Sequence, residues 1–131
     1  MLNAKDVMTR DVICISPETK LKEAVKVLVN NKVSGMPVCD PHGAVIGIIS
    51  ERDILNFVFS GNLDNTTVRE AMSTHVLSFS SDTPIDKISL AMGERQIRRV
   101  PIIDNGKLVG IISRRSILRT VLDLPKTHHS K

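Results

Sequence analysis

The sequence predicts an α/β (α+β) fold of two β-α-β-β-α units packed about a pseudo-twofold. Three observations predict it. The 131-residue chain repeats itself at an offset of 64 residues, which falls to 63 after a one-residue gap in a turn. Within each copy, short continuous apolar runs alternate with apolar residues at helical spacing. Composition is globular, with 41% hydrophobic and 24% charged residues. Aromatics are only 2%, so the core must come from Val, Ile, Leu, Met and Ala. A copy of roughly 50 residues buries little surface alone, so the two are expected to pack on each other.

The first copy opens with Val12-Ile13-Cys14-Ile15-Ser16, read as a short strand ending at Ser16-Pro17. Leu21, Ala24, Val25, Leu28 and Val29 then recur at i, i+3, i+4, i+7 and i+8, one face of a helix. Glu18 and Thr19 suit its start, and Asn30-Asn31 its stop. Residues 36–39 and 45–49 read as two strands joined by the turn Asp40-Pro41-His42-Gly43. Ser50 caps a second helix carrying Ile54, Leu55, Val58 and Phe59 on one face.

The second copy repeats this order. Val76-Leu77-Ser78-Phe79-Ser80 answers the first strand. Ile85, Ile88 and Met92 mark a helix that Gly93 weakens near its end. Val100-Pro101-Ile102-Ile103-Asp104 and Leu108-Val109-Gly110-Ile111-Ile112-Ser113 match the hairpin, and Ile117, Leu118, Val121 and Leu122 mark the last helix. The expected organisation is residues 1–60 as unit one, 61–66 as linker, 67–124 as unit two and 125–131 as a polar tail.

Cys14 and Cys39 form no CxxC pair and read as buried free thiols, which fits a reducing compartment. No apolar run reaches the roughly 20 residues of a membrane span. The start, Met1 to Met8, is too polar for a signal peptide, so a soluble cytoplasmic protein is expected. Net charge is +4. It is concentrated in residues 95–119, where seven basic side chains face Asp104 alone. Such a stretch suits an anionic partner or a solvated surface.

Four groups of residues, repeated in order, carry a family resemblance. They are Val7-Met8-Thr9 with Ala71-Met72-Ser73, Met36-Pro37-Val38 with Val100-Pro101-Ile102, Gly47-Ile48-Ile49-Ser50-Glu51-Arg52-Asp53, and Gly110-Ile111-Ile112-Ser113-Arg114-Arg115-Ser116. Over about residues 5–122 the chain resembles a tandem pair of cystathionine β-synthase (CBS) domains, a Bateman module.

The segment from Gly47 to Asp53 turns from strand into helix. Amides at a helix start favour an anion, Ser50 adds a hydroxyl, and Asp53 can accept two hydrogen bonds from a ribose diol. Gly47 leaves room for close approach. Ser50-x-x-Asp53 is equally a capping box, and both roles can hold at once.

The resemblance implies adenosine nucleotides bound between the two units. One site takes Ser50, Arg52 and Asp53 together with Thr83, Ile97, Arg98 and Arg99, the arginines on phosphate. The other takes Thr19, Ala24, Val33 and Ser34 with Ser113, Arg115 and Ser116. Ser116 stands where the carboxylate belongs, so this cleft is expected to be empty, weak or selective for something other than ribose.

Catalysis finds no motif. His42, His75, His128 and His129 have no zinc spacing, and neither a nucleophile elbow nor a phosphate loop occurs. The expected function is non-enzymatic. It is a regulatory module that requires no cofactor, holds no metal, and binds AMP, ADP, ATP, S-adenosylmethionine or an NAD-type ligand. With no effector domain in the sequence, it is expected to signal in trans to an unknown protein. The resemblance implies a homodimer through helices 51–59 and 114–122. The alternatives are a nucleic-acid binder using the basic 95–119 surface, disfavoured by the lack of Trp and Tyr, and a purely structural dimerisation module.

Overall fold

The computed structural model describes residues 2–123. The tail expected at 125–131, with His128 and His129, lies outside the described residues. The elements in chain order are α1 (Ala4–Val7), α2 (Leu21–Asn31), β1 (Gly35–Cys39), β2 (Val45–Ser50), α3 (Glu51–Val58), α4 (Val68–Ala71), α5 (Ile85–Arg95), β3 (Arg99–Asp104), β4 (Lys107–Ser113) and α6 (Arg114–Asp123). They bear out the mixed helix and strand class, with two small antiparallel sheets, β1–β2 and β3–β4.

In space the chain divides at Val12/Ile13 and at Val76/Leu77. A central unit holds Ile13–Val76, and a flanking unit combines the described residues up to Val12 with those from Leu77 onward. The ranges 1–60 and 67–124 therefore follow the repeat along the chain, whereas the compact units exchange the opening segments of the two copies.

In the central unit, Leu21, Ala24 and Leu28 of α2 pack with Met36, Val38, Ile49, Ile54 and Val68 in one core. The helical spacing read from the sequence buries this face. The helix starts later than Thr19: Lys20 is its N-cap and supplies no side-chain bond. It ends at Asn31 because Lys32 adopts a left-handed conformation, φ 55°, and its N–H closes on the carbonyls of Leu28 and Val29. The β1–β2 hairpin pairs Met36 with Ile49 and Gly35 with Ser50. Asp40 Oδ1 accepts from the N–H groups of His42 and Ala44, at 2.9 and 3.0 Å, and so fixes the turn.

The flanking unit repeats the plan around Ala4, Met8, Ile88, Met92, Val100, Ile102 and Ile112. Its hairpin turns on Asn105 and Gly106, both at positive φ (51° and 78°), the two-residue turn that suits strand twist. That explains the one-residue gap between the copies.

Two expectations are corrected here. The strands expected at 12–16 and 76–80 shrink to single bridges, Ile15 with Val38 and Phe79 with Ile102. Only one residue of each run reaches its neighbour: Ile15 N–H donates to the Pro37 carbonyl at 3.1 Å, and Cys39 N–H to the Ile15 carbonyl at 3.0 Å. That bridge sets Cys14 beside Cys39, and the two form a disulfide with 6.2 Å between their Cα atoms. They are not free thiols, Cys14 is exposed, and the inference of a reducing compartment loses the support it drew from them.

The opening segments occupy the outer edges of the hairpins. Ser73 and Ile48 exchange N–H to carbonyl bonds, each at 2.9 Å, in the central unit. Thr9 and Ile111 do the same in the flanking unit, at 2.9 and 3.0 Å. Among the described residues, no helix is long and apolar enough to cross a membrane.

Candidate functional site

The candidate site grows from the end of each hairpin where strand passes into helix. In the central unit β2 ends at Ser50 and α3 begins at Glu51. Ser50 N–H and Ser50 Oγ both donate to Asp53 Oδ2 at 2.9 Å, and Asp53 N–H donates back to Ser50 Oγ at 3.3 Å. The capping box read from the sequence is thus formed. The second carboxylate oxygen, Oδ1, accepts a long bond from Ser73 Oγ at 3.4 Å. A carboxylate has about four lone-pair sites, so Oδ1 keeps acceptor capacity. Ser34 adjoins this end, since its carbonyl accepts from Glu51 N–H at 2.9 Å. Arg52 is exposed on the first turn of α3, and Val33 packs partly against the core.

The flanking unit builds the equivalent end with a hydroxyl in place of the carboxylate. Ser113 N–H donates to Ser116 Oγ at 2.9 Å, and Ser116 N–H to Ser113 Oγ at 3.1 Å. The reciprocal cap survives the exchange of Asp for Ser, but the negative charge does not. Arg99 pairs with Ser113 across the hairpin, and the Arg98 carbonyl accepts from Arg114 N–H at 2.9 Å. Arg98 and Arg115 are exposed, Arg99 is half-buried, and Ile97 packs partly against the core.

Each unit therefore gathers its own subset of the expected residues. Ser34, Ser50, Arg52 and Asp53 stand together in the central unit. Arg98, Arg99, Ser113, Arg115 and Ser116 stand together in the flanking unit. Thr19 and Thr83 lie just before the starts of α2 and α5, where their carbonyls accept from Val68 N–H and Ala4 N–H, each at 2.8 Å. Ala24, expected to line the second cleft, is 0% exposed. Its place on the inner face of α2 gives it to the core.

Gly47 also serves another purpose than the one expected. A Cβ there would meet Met72 Sδ at 2.7 Å and the Ser73 carbonyl at 2.8 Å. The room that glycine leaves is filled by the chain itself. Sequence reasoning missed Ser73 as a neighbour of Asp53, because nothing in the pattern reveals the exchange of opening segments. It also passed over Arg114, which the repeat offset aligns with Glu51.

Ionisation is perturbed away from this end. Two bonds from Ser81, Oγ at 2.6 Å and N–H at 3.0 Å, hold the Asp104 carboxyl below its ordinary value. Bonds from the Thr67 N–H and hydroxyl do the same for Glu70 at the start of α4. The Thr67–Glu70 pair is the local cap of α4, whereas Ser81 reaches Asp104, at the end of β3, from 23 residues away in the sequence. Among the described residues, no group of three or more His, Cys, Asp or Glu is placed to hold a metal ion.

Comparison with known proteins decides the family. The model for the CBS domain matches residues 4–60 and again residues 68–123. The chain belongs to the CBS domain family. It is 35% identical over 114 residues to the CBS domain-containing protein YhcV of Bacillus subtilis, covering 86% of this chain and 81% of that protein. The CBS domain pair of protein MJ0100, solved with 5′-methylthioadenosine and S-adenosyl-L-methionine, is 28% identical. It matches at a TM-score of 0.83 over 92% of this chain and 96% of that one. CBSX2, solved with AMP, is 27% identical, with a TM-score of 0.85 over 93% of this chain and 97% of that one. Two enzymes in the family's reach are much longer, and this CBS pair spans 22% and 23% of them.

Proposed function

We propose that this CBS pair is a regulatory module that binds an adenine nucleotide or another adenosyl ligand and acts on a separate protein in trans. The observation that carries the reading is that two CBS pairs at 27% and 28% identity hold AMP or S-adenosyl-L-methionine with 5′-methylthioadenosine. This chain keeps a carboxylate, Asp53, at its first strand-to-helix end, with Oδ1 lightly engaged. Asp53 is the group proposed to accept the ribose diol, with Ser50 and Arg52 beside it, and Thr83, Ile97, Arg98 and Arg99 as further contacts. The second proposed set is Thr19, Val33, Ser34, Ser113, Arg115 and Ser116, without Ala24.

The module is proposed to be non-catalytic, cytoplasmic and a homodimer. A thermal-shift panel of AMP, ADP, ATP, adenosine, S-adenosylmethionine, NAD and GMP tests the ligand class. Stabilisation by one or more adenosyl compounds and not by GMP supports it. No shift with any of them, with calorimetry equally silent, overturns it.

A further inference from the structure

The two units tie their opening runs to their hairpins by different means. In each, one residue of the run bridges the first hairpin strand. Phe79 N–H donates to the Pro101 carbonyl at 3.3 Å and Ile103 N–H to the Phe79 carbonyl at 2.8 Å, as Ile15 does with Pro37 and Cys39. The flanking unit adds a second tie, in which Ser81 gives Asp104 two hydrogen bonds, at 2.6 and 3.0 Å. The repeat places Pro17 at the Ser81 position and Asp40 at that of Asp104. Pro17 has neither a hydroxyl nor an N–H to give. Asp40 Oδ1 turns to His42 and Ala44 instead. The second tie of the central unit is the disulfide between Cys14 and Cys39. The flanking unit has Ser78 and Ile103 at those positions, so the plan of the fold does not require that bond.

The bond is reachable, and other contacts hang on it. Cys14 is exposed and Cys39 half-buried. Just after Cys14 the chain carries α4. The carbonyls of Pro17 and Thr19 accept from the N–H groups of Arg69 and Val68 at 2.9 and 2.8 Å, and Glu18 pairs with Arg69 at 3.3 Å. From α4 the chain passes to Ser73, whose hydroxyl reaches Asp53 Oδ1 at 3.4 Å.

We propose that the Cys14/Cys39 disulfide is a reversible thiol–disulfide exchange site whose substrate is a dithiol reductant, and that its state sets how firmly α4 is held. A thiolate of the reductant attacks Sγ of Cys14, the more exposed of the two cysteines, and Cys39 leaves as a thiolate that takes up a proton. The second thiol of the reductant then breaks the mixed disulfide and releases Cys14 as a thiol. The cysteine pair gains two electrons and two protons, and the dithiol is oxidised to its own disulfide. Once the bond is gone, the run is held to β1 through the single bridge at Ile15, and local opening of the run with α4 costs less. The exchange site is independent of the ribose role proposed for Asp53.

Amide hydrogen exchange on the full chain, oxidised with glutathione disulfide and then reduced with dithiothreitol, tests it. Dithiothreitol reduces the pair in the folded protein, and circular dichroism is unchanged. Reduction quickens exchange of the Val68 and Arg69 N–H groups about tenfold more than that of the matching Ala4 and Lys5 N–H groups of the flanking unit. Reoxidation restores the slow exchange. Reduced glutathione, a monothiol, leaves its adduct on Cys14. Cys14→Ser with Cys39→Ile, which installs the residues of the flanking unit, folds and exchanges like the reduced parent whether or not dithiothreitol is present. Four outcomes overturn the proposal: a pair that glutathione disulfide leaves as thiols, reduction only after unfolding in urea, an adduct on Cys39, or an equal change in exchange at α4 and in the flanking unit.

Discussion

The Met72 thioether lies against Gly47 so closely that a Cβ at that position would meet its sulfur at 2.7 Å. Met8 stands in the same relation to Gly110, at 2.5 Å. Both glycines are buried, and one of the obstructing atoms at Gly47 is the Ser73 carbonyl, which cannot swing away. Gly47→Ala is therefore expected to destabilise the fold by about 1–3 kcal/mol, as overpacking does. Adding Met72→Ala should cost less than the sum of the two single losses. Urea denaturation of the four proteins of the cycle measures it, and full additivity would contradict the contact.

The two faces left bare on α3 and α6 predict self-association. Leu55 is 62% and Phe59 97% exposed, and Leu118 and Leu122 are 63% and 83% exposed. The proposed homodimer covers them. Sedimentation at tens of micromolar should give a dimer, and Phe59→Glu with Leu122→Glu should give a monomer with unchanged circular dichroism. A monomeric parent contradicts it.

The disulfide closes a loop of 25 residues around α2. Loop-closure entropy assigns such a bond about 3–4 kcal/mol. Cys14→Ser should lower the free energy of unfolding by that order, and a reductant should lower the parent to the same level. Mass spectrometry of the alkylated protein reports the bond directly. Two free thiols in untreated protein would contradict it.

Asp104 predicts a pH effect of definite sign. Ser81 favours its charged form, so the folded value lies below the unfolded one. Its contribution to stability is complete above the unfolded value and is lost as pH falls through the folded one. Ser81→Ala should raise the Asp104 value in an NMR titration. An unchanged titration midpoint would contradict the assignment.

Much of this fold is legible in the sequence, because period and turn chemistry are local. The Leu21, Ala24 and Leu28 spacing gives the buried face of α2, and the Ser50 and Asp53 spacing gives the cap of α3. The position of α1 and α4 is not local. Met8 and Met72 precede their own copies along the chain yet pack against Gly110 and Gly47. Repeat alignment alone cannot show that exchange, since either arrangement preserves the order of residues. The disulfide was missed for a related reason: Cys14 and Cys39 are brought together by one bridge at Ile15, not by spacing. Legibility of the candidate site stops at residue type. The sequence supplies Asp53 and its loss at Ser116, whereas the light engagement of Oδ1 by Ser73 is visible only in the structure.

The central claim is that Asp53 recognises the ribose of an adenosyl ligand as well as capping α3. The flanking unit supplies the means to separate these roles, because Ser116 keeps the reciprocal cap without a carboxylate, at 2.9 and 3.1 Å. Asp53→Ser should therefore melt close to the parent. Calorimetric titration of that variant with AMP is the most direct measurement. The account predicts a loss of roughly 30- to 150-fold in affinity, the worth of a charge-assisted hydrogen bond. AMP binding by Asp53→Ser as tight as by the parent would contradict it and leave Asp53 as a cap alone.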